Sequence, residues 1–344
     1  MHRLLRILVL AALAVTAVAA PARALTTEAL LDTLQHTAFN FFWTEANPAN
    51  GLVRDRNTGG SVSSIASTGF GLSAIAIGID HGWITREQGR DRVLTTLATF
   101  RNGPQGSAAS GTIGFLGLFW HWLDMNTATR TWDSELSTID TALLFAGIID
   151  VYEYFDTADP QDSLVRAYAD SIVRRCNWDI MRNFGTGLYM GYKPGTGFNG
   201  FGRWQGYNEA MIMYILALGS PTFPIPENNW DYWTGTYNYA THYGQTFITF
   251  PPLFGHQYSH CWIDFRNIQD DYTRARDLDY FENSRRATLA QQAYSVANPG
   301  GWTVRYWLFF DSNQRLTHIA HRHHDLGRVV RIARIIARII PESG

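Results

Sequence analysis

The chain has 344 residues, a formal net charge of −2 and only 17% charged side chains, a balance that gives no electrostatic footprint for nucleic acid or an acidic partner. Its length is enough for one large core or two smaller ones. The excess of aromatic residues, with 12 Trp, 16 Tyr and 20 Phe, supplies flat rings that either fill a helical core or wall a cleft that stacks on sugar faces.

Met1 to Arg6 carries two arginines and a histidine and runs into an apolar stretch, Ile7 to Ala20, too short to span a bilayer stably. Ala22-Arg23-Ala24 then fits the A-x-A cleavage rule. The pattern predicts a signal peptide over residues 1–24, a mature start near Leu25 and a periplasmic or secreted protein. No cysteine follows the apolar run, which argues against a lipid anchor, and no later segment is long and apolar enough for stable membrane insertion.

Helix-forming segments then alternate with loops rich in Gly, Asn, Thr and Pro, and strict period-two alternation is scarce. Helices are predicted over 27–44, 65–79, 86–101, 136–155, 162–176, 209–218 and 280–296, with loops over 47–64, 102–114, 193–203 and 221–252. Segment 136–155 is apolar almost all the way round, which demands burial on every side, as in concentric helical layers. The class expected is all-α, in one domain. Cys176 and Cys261 match no disulfide framework or metal motif and read as two buried free thiols rather than a bridge.

Three segments carry candidate chemistry. In Trp132-Asp133-Ser134-Glu135-Leu136-Ser137-Thr138-Ile139-Asp140, Ser134 reads as an N-cap and Glu135 as a first-turn acid that complements the helix dipole. Asp140 falls within the apolar helix, where an unpaired charge is costly, so it either pairs with an arginine or faces a cleft. In Trp204-Gln205-Gly206-Tyr207-Asn208-Glu209, Glu209 sits where a wet loop becomes an apolar helix. That half-desolvated place raises a carboxyl pKa and suits proton donation to a glycosidic oxygen, although a first-turn acid on the dipole is the plainer reading.

The third segment holds His256 and His260 at metal-ligand spacing, but Gln257 stands where a zinc site would need Glu, so no metal is expected. Hydrogen bonds to sugar hydroxyls, or pinning of a loop, suit these residues better. No nucleophile elbow, phosphate loop or dinucleotide fingerprint occurs, and no cofactor is expected.

Seven ordered blocks then resemble the glycoamylase-like domain of bacterial beta-1,2-glucanases and cyclic beta-1,2-glucan synthases. They are Asn40-Phe41-Phe42-Trp43 with Gly51-Leu52-Val53-Arg54-Asp55-Arg56; Ser64 to Leu72; Gly82-Trp83-Ile84; Glu135 to Leu144; Tyr207 to Ile212; Leu253 to His260; and Asp279 to Ser284. The likeness covers about residues 36–302. It implies an (α/α)6 barrel over 25–302 that cleaves or transfers glucan chains, with Glu209 as general acid and Asp140 and Glu135 shaping the catalytic subsite. Trp43, Trp120, Trp204 and Tyr207 are expected to stack on sugar rings, and Arg54, Asp55, Arg56, Asp133, His256, Gln257 and His260 to contact an oligo- or polysaccharide.

After Trp302 the likeness stops, and residues 303–344 contain seven arginines, no lysine and four histidines. Lys193 is the only lysine in the chain, which suggests GC-rich coding DNA, and an out-of-frame reading of such DNA is arginine-rich. The expectation is a frameshift or truncation near residue 302 and a barrel incomplete at its C-terminal end. A cationic amphipathic helix over 325–340 is the alternative. The functional expectation is a glucan hydrolase; a non-catalytic glucan-binding protein or an inactive truncated product is the alternative.

Overall fold

Ser64 and Ser137 each close a two-residue strand and cap the apolar helix that follows. β1 (Ser63–Ser64) leads into α2 (Ile65–Asp80), where Ser64 Oγ accepts the Ser67 amide. β5 (Leu136–Ser137) leads into α4 (Thr138–Tyr154), where Ser137 Oγ accepts the Asp140 amide. An extended residue with a side-chain oxygen satisfies one of the amides that a helix start leaves free. α4 therefore begins at Thr138, and Ser137 rather than Ser134 caps it. Ser134 is buried and its hydroxyl donates to the Trp122 carbonyl.

The chain is a computed structural model that describes residues 26–297, so the expected signal peptide and the tail at 303–344 lie outside the described residues. Contacts divide it after Ala38: residues 26–38 are the first part of α1 (Thr27–Thr44), and Phe39 onward forms the main unit. The main unit is mostly helical, as predicted. α2, α4 and α6 (Met211–Leu218) are apolar and buried over most of their length, while α3 (Arg86–Asn102) and α5 (Pro160–Arg174) each bury only a stripe. α9 (Tyr280–Ala297) completes the long helices. Among the described residues, no helix is long and apolar enough to cross a membrane.

α2 and α4 approach until backbone meets backbone. A Cβ on Gly147 would lie 2.0 Å from the Gly69 carbonyl oxygen, and one on Gly69 would lie 2.3 Å from the Leu143 carbonyl oxygen. Outside them, α3 and α5 are tied through Asp162, whose side chain is solvent-free and accepts from Arg86 at 2.7 Å, Arg90 at 3.1 Å and Thr157 at 2.6 Å. Burial alone would raise its carboxyl, but these partners hold it down at about 2. α5 starts at Pro160, behind the Asp159 cap, and not at Asp162, because proline is pre-shaped for a first turn.

Segment 221–252, expected as loop, holds α7 (Asn228–Thr234) and a hairpin of β7 (Tyr239–His242) and β8 (Gln245–Ile248). Its two-residue turn, Tyr243-Gly244, has both φ values positive, at 50° and 77°, the twist that antiparallel neighbours need. Asn283 of α9 accepts the Ile248 amide and so seats the hairpin. Both cysteines are free as expected, but only Cys176 is buried; Cys261, at the end of the 3-10 turn Tyr258–Cys261, is exposed.

Gly147→Ala should cost about 1–3 kcal/mol through overpacking, whereas Gly59→Ala, with nothing within 4 Å of the new methyl, should stay within about 0.5 kcal/mol. Denaturant unfolding of the two variants checks this; equal midpoints would show that the α2–α4 contact is not tight.

Candidate active site

One short segment stitches the starts of α2 and α4 together. β4 (Trp122–Leu123) pairs antiparallel with β1, and Trp120 bridges Leu136 of β5. His121 lies between the two pairings. Its amide donates to the Glu135 carbonyl at 2.9 Å, and its carbonyl accepts the Ile65 amide at 3.2 Å. With the backbone fixed on both sides, the imidazole lies flat on Trp122, centroids 4.0 Å apart and planes 16° from parallel. Its Nδ1 is 2.8 Å from Glu135 Oε1, and its Nε2 is 3.6 Å from Asp140 Oδ2.

The electrostatics follow from that geometry. Burial works to lower the His121 pKa, but the bond to Glu135 and the charges of Asp140, Glu135 and Asp55 outweigh it and raise the pKa. Burial works to raise the Glu135 carboxyl, and the His121 bond and charge bring it below its ordinary value. Asp140 is pushed up by burial; His121 and the Ser137 hydroxyl, which donates to Oδ2, oppose the rise without cancelling it. Asp140 thus stands at the first turn of α4, bonded to its cap, not deep within an apolar helix and not paired with an arginine.

Glu209 lies between the Gly- and aromatic-rich loop and α6, which starts at Met211 rather than at Glu209. Its Oε2 is buried and has no hydrogen-bond partner. Burial pushes its carboxyl up, and the negative charge of Asp140 pushes the same way. The Tyr258 hydroxyl, itself pushed up by burial, feels both Glu209 and Asp140. The two acids and Tyr258 therefore share one neighbourhood. Trp204 borders it, its indole N–H donating to Thr138 Oγ1 at 3.0 Å at the start of α4.

Around this group, Trp132 and Asp133 both adopt left-handed φ, at 56° and 53°, a conformation that costs a non-glycine residue roughly 1–2 kcal/mol. Asp133 is held there by Arg130 at 2.8 Å and Lys193 at 3.2 Å. Trp132 is 67% exposed and leans on Trp122, so a row of rings runs from solvent to His121. Asp55, bonded to Arg56 at 2.8 Å, faces His121 through its charge, while Arg54 pairs with Glu45 at 3.4 Å.

Several expected sugar contacts are elsewhere. Trp120 is fully buried, with its indole N–H on Thr112 and the Arg130 guanidinium over its ring. Tyr207 is buried among Trp233, Tyr237, Tyr280 and His256. A ring closed off from water offers no face to a sugar, so both are core residues. His256 is likewise buried and pushed down to about 3 by desolvation, and His260 bonds Ser284 at 2.9 Å and is pushed down to about 4. Gln257 is exposed on the same turn. Trp43 packs on Phe39 and beneath the Arg92 guanidinium, contacts of the helical shell rather than of the acids.

The residues that sequence reasoning passed over are His121, Trp122, Trp132 and Tyr258. The available signal was the run Trp120-His121-Trp122, a titratable group between two large rings, where alternation sends the first ring inward and leaves the histidine beside the acids.

The chain is mainly helical and gathers carboxylates at the starts of apolar, buried helices, and comparison with known proteins finds glycoside hydrolases among those it is similar to. Residues 202–307 match the family described as "Putative glucoamylase". The chain is 27% identical over 311 residues to the exo beta-1,2-glucooligosaccharide sophorohydrolase (non-reducing end) of Parabacteroides distasonis, which covers 81% of this chain and 41% of that protein. The chain thus spans about two fifths of that curated relative. A solved structure from Bacteroides uniformis, described in the family's own words, superposes with TM-score 0.74 at 27% identity over 82% of this chain and 69% of its own. The endo-beta-1,2-glucanase of Chitinophaga pinensis, solved as a sophorotriose and glucose complex, superposes with TM-score 0.73 at 25% identity over 82% and 70%.

A carboxyl whose folded pKa is raised favours the folded state while protonated. Glu209 contributes that stability fully below its ordinary value of 4.5 and loses it as pH rises through the folded value. Glu209→Gln should therefore leave stability unchanged near the acid end and raise it at neutral pH, by less than about 1 kcal/mol after solvent screening, with the melting temperature rising accordingly. Melting curves across pH check this; a lower melting temperature for the variant at pH 7 would contradict it.

Proposed function

We propose that the chain is an exported glycoside hydrolase acting on a glucan, beta-1,2-linked as in the names of its relatives, through an (α/α)6 barrel over residues 25–302. The observation that carries this reading is the buried, unbonded oxygen of Glu209 beside Asp140. Burial of an oxygen that has no partner, with a neighbouring negative charge, raises this carboxyl against the opposing bond from its own amide, and so favours the protonated form that a general acid for a glycosidic oxygen needs.

The roles then divide by environment. Glu209 protonates the leaving oxygen. Asp140, whose anion is favoured by Ser137 and His121, orients water or the sugar at the reacting carbon. Glu135 shapes the subsite behind it, and Trp204 offers a partly open ring to a glucose face. The signal-peptide pattern at residues 1–24 supports export.

Assay of the purified chain on a panel of alpha- and beta-glucans tests the reading, with sugar release expected from beta-1,2-glucan. Glu209→Gln should lower that release by about 10²–10⁴-fold while circular dichroism stays unchanged. Full activity in the variant would remove Glu209 from its role. Calorimetric binding of glucan by the unaltered chain with no sugar release would replace the hydrolase reading by that of a glucan-binding protein.

A further inference from the structure

Three carboxyls carry the roles proposed for the site, and one imidazole touches two of them. His121 reaches both Glu135 and Asp140 with its two ring nitrogens. Nothing about the ring is left to chance: its backbone is bonded on both sides, its face rests on Trp122, and the residue it meets first, Glu135, is itself hemmed in. A Cβ on Gly191 of β6 (Gly191–Tyr192) would lie 2.8 Å from Glu135 Cγ, so the glycine is what lets the Glu135 side chain pass.

We propose that His121 is a positioning residue, clamped by Glu135 and clamping Asp140, that fixes the orientation and the charge of Asp140 for the reaction at the glycosidic bond. The inference rests on the hydrolase reading and deepens it at the same site. A hydrogen bond at 2.8 Å from Nδ1 to Glu135 fixes the ring plane and leaves Nε2 directed at Asp140. A cationic imidazolium there favours the Asp140 anion, and the Asp140 anion in turn favours a protonated Glu209. One imidazole thereby separates the protonation states of two carboxyls that would otherwise compete for the same proton.

The groups that face His121 are few. Glu135 from the approach to β5, Asp140 from α4 and Asp55 from the loop before β1 are all acidic, and Trp122 from its own strand is neutral. All three charges favour the imidazolium; burial alone opposes it. Lys193 acts on Glu135 through charge.

Two measurements test the clamp. In the first, the His121 imidazole is titrated by NMR in the full chain, identified by the resonance that His121→Gln removes. It should titrate above its ordinary value of 6.5 and fall in Glu135→Gln. Titration at or below that value overturns the proposal, and this readout needs no turnover, so a chain that cleaves no glucan at all sinks the hydrolase reading without deciding the clamp. In the second, pH–rate profiles are compared. His121→Gln keeps a neutral side chain able to reach Asp140, and should lower kcat by about 10–100-fold, with KM little changed and the acidic limb moved to higher pH. Glu135→Gln, which keeps the imidazole and removes a negative charge that raises Asp140, should move the limb less than His121→Gln does. A loss of rate equal at every pH would mean packing alone and would overturn the charge role, while an unmoved profile with full activity would overturn both roles.

Discussion

The close approach of α2 and α4 at Gly69 and Gly147 is the constraint from which the site follows. With carbonyl oxygens of one helix where side chains of the other would stand, neither helix can slide along or rotate about the other by more than a fraction of a turn without a clash. Their first turns are therefore held level, and with them the capping residues Ser64 and Ser137. Two adjacent extended ends leave unpaired backbone groups, which the Trp120–Leu123 stretch satisfies by pairing with both. His121 is the residue in the middle of that stretch, so its place beside Glu135 and Asp140 is set by backbone bonding before any side-chain chemistry enters.

The same arrangement explains why three acids can stand close together in a half-buried place. Each is provided for differently. Glu135 has the His121 imidazole at hydrogen-bond distance, Asp140 has a cap hydroxyl and the same imidazole farther off, and Glu209 Oε2 has neither. Burial works to raise all three, and the partners decide the outcome: Glu135 ends below its ordinary value, while Asp140 and Glu209 end above theirs. Elsewhere in the chain an acid is buried for the opposite reason: Asp162 joins α3 to α5, with two arginines and a threonine bonding its two carboxylate oxygens.

The long helices could be read from the sequence because burial on one stripe or all round leaves a regular apolar pattern, and α1, α2, α3 and α9 keep their expected extents closely. The exceptions are local. Two-residue strands leave no periodicity, so β5 was absorbed into α4, and Ser134 took the cap that Ser137 holds. The hairpin at Tyr239–Ile248 hid in a stretch of turn-forming residues because each strand is only four residues long. Among site residues, Asp140 stood out as a charge within an apolar helix and Glu209 as one where a wet loop meets another, both properties of sequence, while Glu135 gained a site role only through the resemblance. Trp120 and Tyr207 did not differ from Trp204 in sequence, since which face of a ring is covered depends on the fold. His121 escaped notice because its partners lie 14 residues along the chain and farther, brought to it only by strand pairing.

Lys193 carries the one side-chain amine of the protein, and that amine is bonded to Asp133 in the strained Trp132-Asp133 pair beside the acids. Amine-directed chemistry on this protein is consequently chemistry at a single side chain. Attaching a dye or a crosslinker there would neutralise the charge that helps hold Asp133 in its unfavourable backbone state, so the label would sit at the edge of the acidic group and, by its own attachment, loosen the turn that it reports on.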